Sequence, residues 1–143
     1  MDKNIRKPGR TYLADVLDSN KRQTQLETNC VKIGTIETFD SSNQRARVKI
    51  AYKQVKDILE DGTHVYKEYP LLIDVPVFVL FGGVDILTMP ISPGDSCIVL
   101  FNDDEMGQWA KSGGGFPVNF VMHDLSYAIA LVGIRPLSNV ITN

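Results

Sequence analysis

From Tyr69 to Phe101 the chain reads YPLLIDVPVFVLFGGVDILTMPISPGDSCIVLF, three apolar segments cut by Gly82-Gly83 and by Ser92-Pro93-Gly94-Asp95. The segments Leu71–Phe81, Ile86–Ile91 and Cys97–Phe101 are each too short to span a membrane. Each is rich in Val, Ile, Leu and Phe and bounded by turn residues, the pattern of buried strands. In the second break Pro93 fixes φ and Gly94 can supply a positive φ, which makes a tight turn. The run is therefore expected to form a β-meander at the heart of a small barrel. It carries no side-chain set suited to catalysis.

The segments before it alternate with a period of two. Val31, Ile33 and Thr35 face one way, while Lys32, Gly34, Ile36 and Thr38 face the other. After the turn-rich Asp40-Ser41-Ser42-Asn43, Ala46, Val48 and Ile50, with Tyr52 or Ala51, are expected inward. Arg45, Arg47 and Lys49 are expected outward. Together these strands predict a hairpin. A second hairpin, Val55–Leu59 with His64–Tyr69, is predicted around Glu60-Asp61-Gly62. Pro70 and Pro76 lack an N–H, so the strand that holds them should lie at a sheet edge or carry a bulge.

Met1 to Arg10 is polar and reads as a tail. Thr11 to Thr28 predicts a helix with Thr11 as N-cap, its narrow apolar stripe set by Leu13, Val16 and Leu17 at i, i+3 and i+4. After Phe101, Asn102-Asp103-Asp104-Glu105 would cap a short helix, Glu105–Lys111, ended by the loop Ser112-Gly113-Gly114-Gly115. Trp109 in that helix is expected to plug one end of the barrel, with a subunit-contact anchor as the alternative. Leu125–Ile134 is a last apolar element, open to reading as helix, strand, or a turn followed by a strand. Short connections favour antiparallel pairing. The fold class expected is mainly β: a small antiparallel Greek-key barrel of the OB type, with an N-terminal helix and a short late helix.

The chain has 143 residues and a net charge of −2, enough for one cored domain and a poor match for a protein that coats nucleic acid. The basic residues Lys3, Arg6, Lys7 and Arg10 read as a solvated tail, and Arg45, Arg47 and Lys49 as the outer face of a strand. No apolar segment of the signal or anchor kind comes after Met1. Two cysteines, Cys30 and Cys97, make no disulfide framework and read as buried free thiols, with a disulfide left open. His64 and His123 are the two histidines. The first belongs to an exposed hairpin. The second reads as a surface residue beside Asp124, which caps the last apolar element. Asp103, Asp104 and Glu105 are consecutive and splay apart, as acids in a first helical turn do. The glycine loop lacks the Lys-Ser/Thr of a phosphate loop. No enzyme, metal or cofactor is expected.

Several landmarks then stand in order: VKIGTIETFDSSNQRARVKI, Asp61-Gly62, PLLIDVPVFVLFGG, LTMPISPGDSCIVLF, Trp109 with a Ser-Gly-Gly step, and HDLSYAIALVGIRP. From about Leu13 to Pro136 the chain resembles the N-terminal OB-fold domain of contractile-phage central spike proteins, the baseplate assembly protein V and membrane-piercing spike group. The resemblance implies a homotrimer in the tail baseplate of a virion, made in the host cytoplasm. Its partners would be a hub protein and a spike needle or tip that alone meets the host outer membrane, with no nucleic acid and no cofactor. No β-helix repeat comes after Pro136, so the family's iron-binding histidine tip is not carried over. The chain is expected to be part of a longer spike or to take its needle from another chain.

The resulting division is 1–28 for tail and helix, 29–137 for the barrel and 138–143 for a C-terminal tail or stem start. Candidate interface residues are Leu13, Val16 and Leu17, the loops Gly82-Gly83 and Gly113-Gly114-Gly115, and Ile141, none of which a monomer would need. The competing readings are an OB adaptor for single-stranded nucleic acid or oligosaccharide, and a small hydrolase built from Asp103, Asp104, Glu105 and His123.

Overall fold

A computed structural model describes residues 12–139. Thr11, Ile141 and the basic N-terminal residues lie outside them. A five-stranded antiparallel sheet forms the body, from β1 (Val31–Asp40), β2 (Arg45–Ile50), β5 (Leu72–Pro76), β8 (Ser96–Phe101) and β9 (Ala128–Val132), in the order β5-β2-β1-β8-β9. Two short hairpins stand apart from it, β3 (Gln54–Ile58) with β4 (His64–Lys67), and β6 (Leu80–Gly82) with β7 (Asp85–Leu87). Helix α1 (Tyr12–Glu27) precedes the sheet, and the six-residue α2 (Gly107–Ser112) lies between β8 and β9.

The sheet curls until its edges touch. Val77, just past β5, forms a parallel bridge with Ala130 of β9, and the Phe78 N–H donates to the Ala130 carbonyl at 2.8 Å. That connectivity, antiparallel throughout except for one parallel closing contact, is the OB order the sequence suggested.

Inside lie Ile36, Ala46, Val48 and Ile50 from the first hairpin, Leu72, Val75 and Val77, Cys97, Val99 and Phe101, and Ala128 and Ala130. These are mostly small or β-branched side chains, the kind that fill a narrow barrel interior. Among the described residues no polar or charged side chain is buried.

Local irregularities set the curl. The β1–β2 register shifts between Ile36 and Thr38, so Glu37 is the extra residue of a bulge that turns Phe39 back toward the core. The Ser92–Asp95 turn docks on this bulge. The Ile36 N–H donates to the Asp95 carbonyl and the Gly94 N–H to the Ile36 carbonyl, both at 2.8 Å. β5 is an edge strand that also carries a bulge, in keeping with Pro76, while Pro70 lies just outside it: its pairing with β2 shifts between Ala46 and Val48, and Asp74 takes φ 53°. At the middle of β1, Gly34 pairs with Ile50 on one side and Cys97 on the other. A Cβ built there would lie 2.6 Å from Val48 Cγ1 and 3.1 Å from Val99 Cγ2, so the interior closes over a missing side chain.

Both predicted hairpins and the helix form where the sequence placed them, and Leu125–Ile134 resolves as a turn followed by β9. Four readings need correction. Leu72–Val77 and Cys97–Phe101 do enter the barrel, but the end of the first segment and the middle segment do not. They form the β6–β7 hairpin, on which Leu80, Phe81, Ile86, Leu87 and, further on, Met89 are all exposed. β2 ends at Ile50, leaving Ala51 and Tyr52 in solvent. α2 begins at Gly107 behind Met106, which makes no side-chain cap, so the Asn102–Glu105 run is not its cap. Both cysteines are free thiols, but only Cys97 is buried while Cys30 is exposed.

Gly34→Ala is expected to destabilise the fold by about 2 kcal/mol in denaturant titration, because the added methyl overpacks the interior. Adding Val48→Ala should recover part of that loss. Strict additivity would sink the close-approach explanation. Burial pushes the Cys97 thiol from its ordinary 9.0 up to about 11, opposed by a backbone hydrogen bond with Gly34. The folded chain thus keeps this proton where the unfolded chain loses it. The contribution to stability is complete below pH 9 and is lost as pH rises toward 11. A thiol reagent at neutral pH should therefore titrate Cys30 in the native chain and Cys97 only after denaturation.

Candidate functional site

The candidate residues fall into three surface regions rather than one cleft. The first is α1. Its 16 residues include none that are buried. Leu13 and Leu17 are 65% and 58% exposed, and Val16 is half-buried. A helix of this length is marginal in water unless an apolar face is covered.

The second region is the β6–β7 hairpin with its Gly82-Gly83 tip. Leu80 opposes Leu87 and Phe81 opposes Ile86 in register. Beside the hairpin a groove of about 870 Å³ is walled by Phe39, Phe78, Pro90, Ile91 and Ile134. Asp95 and Arg135 are its charged lining residues, and Asp95 is engaged by the Ser92 N–H at 2.9 Å.

The third region comes after α2. Gly113 has the left-handed φ of 81° and donates its N–H to the Trp109 carbonyl, ending the helix as a C′ glycine does. Gly114 and Gly115 continue at φ 145° and 141°, backbone that favours glycine. The chain then displays Phe116, Val118, Phe120 and Met122, with Phe116 and Phe120 more than nine-tenths exposed. Trp109 is 54% exposed, so it does not plug the barrel. The Val118 N–H reaches Glu105 Oε1 at 3.4 Å, which ties this loop back to the start of α2.

The acidic residues and His123 are partly brought together. His123 Nε2 lies 3.3 Å from Asp103 Oδ1, and the imidazole is more covered than a surface reading implies, at 25% exposed. Its φ is 53°, so it sits in a turn and not on a strand. His123 Nδ1 is buried without a partner. Asp104 and Glu105 point elsewhere: Asp104 uses its carbonyl to accept from Asn102, and Glu105 serves the Val118 amide. Asp124 Oδ1 accepts from the Ser126 N–H at 2.8 Å, the capping turn into β9 that the sequence suggested. Hydrogen bonds from Ser126 hold its carboxyl below the usual range, and Ser42 and Thr63 do the same for Asp40 and Asp61. Among the described residues no group of three or more His, Cys, Asp or Glu is placed to hold a metal ion.

Several basic residues in and just after the first hairpin engage local partners. Lys49 and Lys53 both approach Glu68, at 3.9 and 3.7 Å, and Arg45 donates to the Asp74 carbonyl. Lys32 lies 4.7 Å from the centre of the Tyr69 ring. His64 stays on the exposed second hairpin, edge-on to Tyr66. Sequence reading missed the exposed hairpin face and the Phe116–Met122 loop. The signal for the loop was an apolar stretch, FPVNFVM, directly after three glycines.

A search of curated proteins finds no match to this chain. Residues 33–133 match the family described as phage protein Gp138 N-terminal domain, a span that runs from β1 to the glycine just after β9. The match covers all of the barrel strands except the first two residues of β1 and more than half of the chain, and the protein therefore belongs to the phage protein Gp138 N-terminal domain family.

Proposed function

We propose that this chain is a structural component of a contractile tail baseplate, the OB-fold part of a central spike or hub. In that role it joins the tube-side hub to the needle that penetrates the host envelope. It acts as a homotrimer within the virion and does mechanical work, with no reaction, metal or cofactor assigned to it. Membership of a phage protein family supports a particle role. The resemblance of PLLIDVPVFVLFGG, LTMPISPGDSCIVLF and HDLSYAIALVGIRP to the spike domains supports the finer placement.

The observation that carries the reading is the amount of large apolar surface left outside the barrel. α1, the β6–β7 hairpin and the 116–122 loop, with Trp109 beside it, display Leu13, Leu17, Phe81, Ile86, Phe116 and Phe120 to solvent. Soluble monomers rarely carry several such patches, whereas subunits of a permanent assembly need them. On this reading the face of α1 through Leu13, Val16 and Leu17 meets a neighbouring subunit. The Gly113–Gly115 loop faces the needle or hub, and Ile141, also a candidate for an interface, lies outside the described residues. The Asp103–His123 pair is a surface contact that holds the turn before β9.

Two measurements test the proposal. Light scattering of the purified chain should give a mass near three chains across a concentration series. Gold-labelled antibody against this chain should decorate the distal end of phage tails. Label on the head, along the tube, or absent from particles would overturn the baseplate assignment.

A further inference from the structure

Side chains alternate along the β6–β7 hairpin, and the register sorts them into two faces. Leu80 opposite Leu87 and Gly82 opposite Asp85 share one face, while Phe81 opposite Ile86 occupies the other. Leu80 and Leu87 line the groove of about 870 Å³, so Asp85 lies on the groove side as well. Arg135 lines the same groove from the segment after β9. An acid and a base of one chain are thus directed at one groove, yet among the described residues neither side chain has an ion pair or hydrogen bond. The groove's other charged residue, Asp95, already accepts from the Ser92 N–H. Leu80 and Leu87 are still 63% and 58% exposed, so the hairpin stands off the walls it faces.

The hairpin is mounted so that it can move. Before its first strand the chain is fixed at Phe78, whose N–H donates to the Ala130 carbonyl. After its second strand it is fixed at Ile91, packed against the core, and at Gly94, whose N–H donates to the Ile36 carbonyl. Between these anchors residues 79–90 make no hydrogen bond to the barrel among the described residues, and β6 and β7 pair only with each other. A two-stranded hairpin held by its own ladder belongs to the low-stability end of a fold, where local motion costs least. Val79 and residues 88–90 are the short links about which it swings. Gly82, opposite Asp85, adds no side chain to the groove face and leaves the carboxylate a clear approach.

We infer that the β6–β7 hairpin is a strap that closes over its own groove and is latched there by an ion pair between Asp85 and Arg135. Closing takes Leu80 and Leu87 out of water against the apolar walls of the groove, which include Ile91 and Ile134. A surface ion pair contributes little by itself, so the two leucines drive the closure and the pair fixes where the tip comes to rest. The open strap presents an apolar groove and the closed strap withdraws it, a hinge-type switch between two states of one site. Phe81 and Ile86 face outward in both states, so closure leaves that face free for a neighbouring subunit. The inference holds for a monomer and for a trimer alike.

The test uses the full chain carrying C30S, which leaves the buried Cys97 as its one native thiol. Under mild oxidation D85C/R135C should form a disulfide within one chain, running as a monomer on a denaturing gel without reductant. The control pair I86C/R135C starts from the outward face and should close about tenfold more slowly or not at all, because Cβ vectors that point apart do not bridge. Equal rates for the two pairs, no disulfide in the first, or a disulfide between chains overturns the inference. Hydrogen exchange of the hairpin's cross-strand amides gives a second readout on D85R, R135D and D85R/R135D. Each single variant should exchange about two- to fivefold faster than the wild type, as loss of a surface ion pair predicts, and the double variant should return close to the wild-type rate. Single variants that leave the rate unchanged, or a double variant no better than the singles, overturn the latch.

Discussion

The barrel depends on a side chain that is missing. Gly34 sits at the centre of β1, the middle strand, where Val48 from β2 and Val99 from β8 close over its Cα. A Cβ at that point would press on both valines and on the Lys49 carbonyl, so the interior could not close as tightly. The curl this allows brings β5 round to β9, where the Val77–Ala130 bridge closes the structure. Curl at Gly34, the bulge at Glu37 and the Ser92–Asp95 turn docked on Ile36 are therefore one device acting on one strand. The buried thiol of Cys97, directly opposite Gly34, is part of the same closure.

A barrel closed this tightly has little interior to offer. Val48, Val99, Cys97 and Ala130 are all at or near zero exposure, and the largest side chain inside is Phe101. Phe39, Tyr69, Ile91 and Leu125 pack against the core from outside, and many other aromatic and long aliphatic residues stay exposed. Among them are Phe81, Trp109, Phe116 and Phe120 on hairpin, helix and loop surfaces, and α1 buries none of its residues. The cost of displaying them is lifted only when another surface covers them, so the small core and the apolar exterior are two sides of the same geometry.

Much of this was legible in the residues. The alternation in Arg45–Ile50 fixed which side of β2 faces inward, because a period of two leaves no other choice when one face is buried. Pro76 and its neighbours placed β5 at an edge, since a strand without an N–H cannot serve an inner ladder. What misled was Ile86–Ile91. Its composition matches Cys97–Phe101, yet one segment lines the core and the other stands in solvent. Gly82-Gly83 joins two strands into an isolated hairpin, and local sequence does not show whether such a hairpin joins the main sheet.

The same ambiguity explains Trp109 and Cys30. Apolar character reports that a side chain gains from being covered, not which molecule covers it. Within a single chain the two cases are indistinguishable by periodicity, because a strand buried against its own barrel and a strand buried against a neighbour carry the same residues. They separate only when the interior is counted. Twelve side chains fill the barrel cluster here, Phe39, Tyr69, Ile91, Leu125 and Val132 pack against it partly buried, and the large apolar side chains of the β6–β7 hairpin and the 116–122 loop stay outside. For a small barrel, apolar content in excess of what the interior can hold is itself a sequence-level sign of assembly.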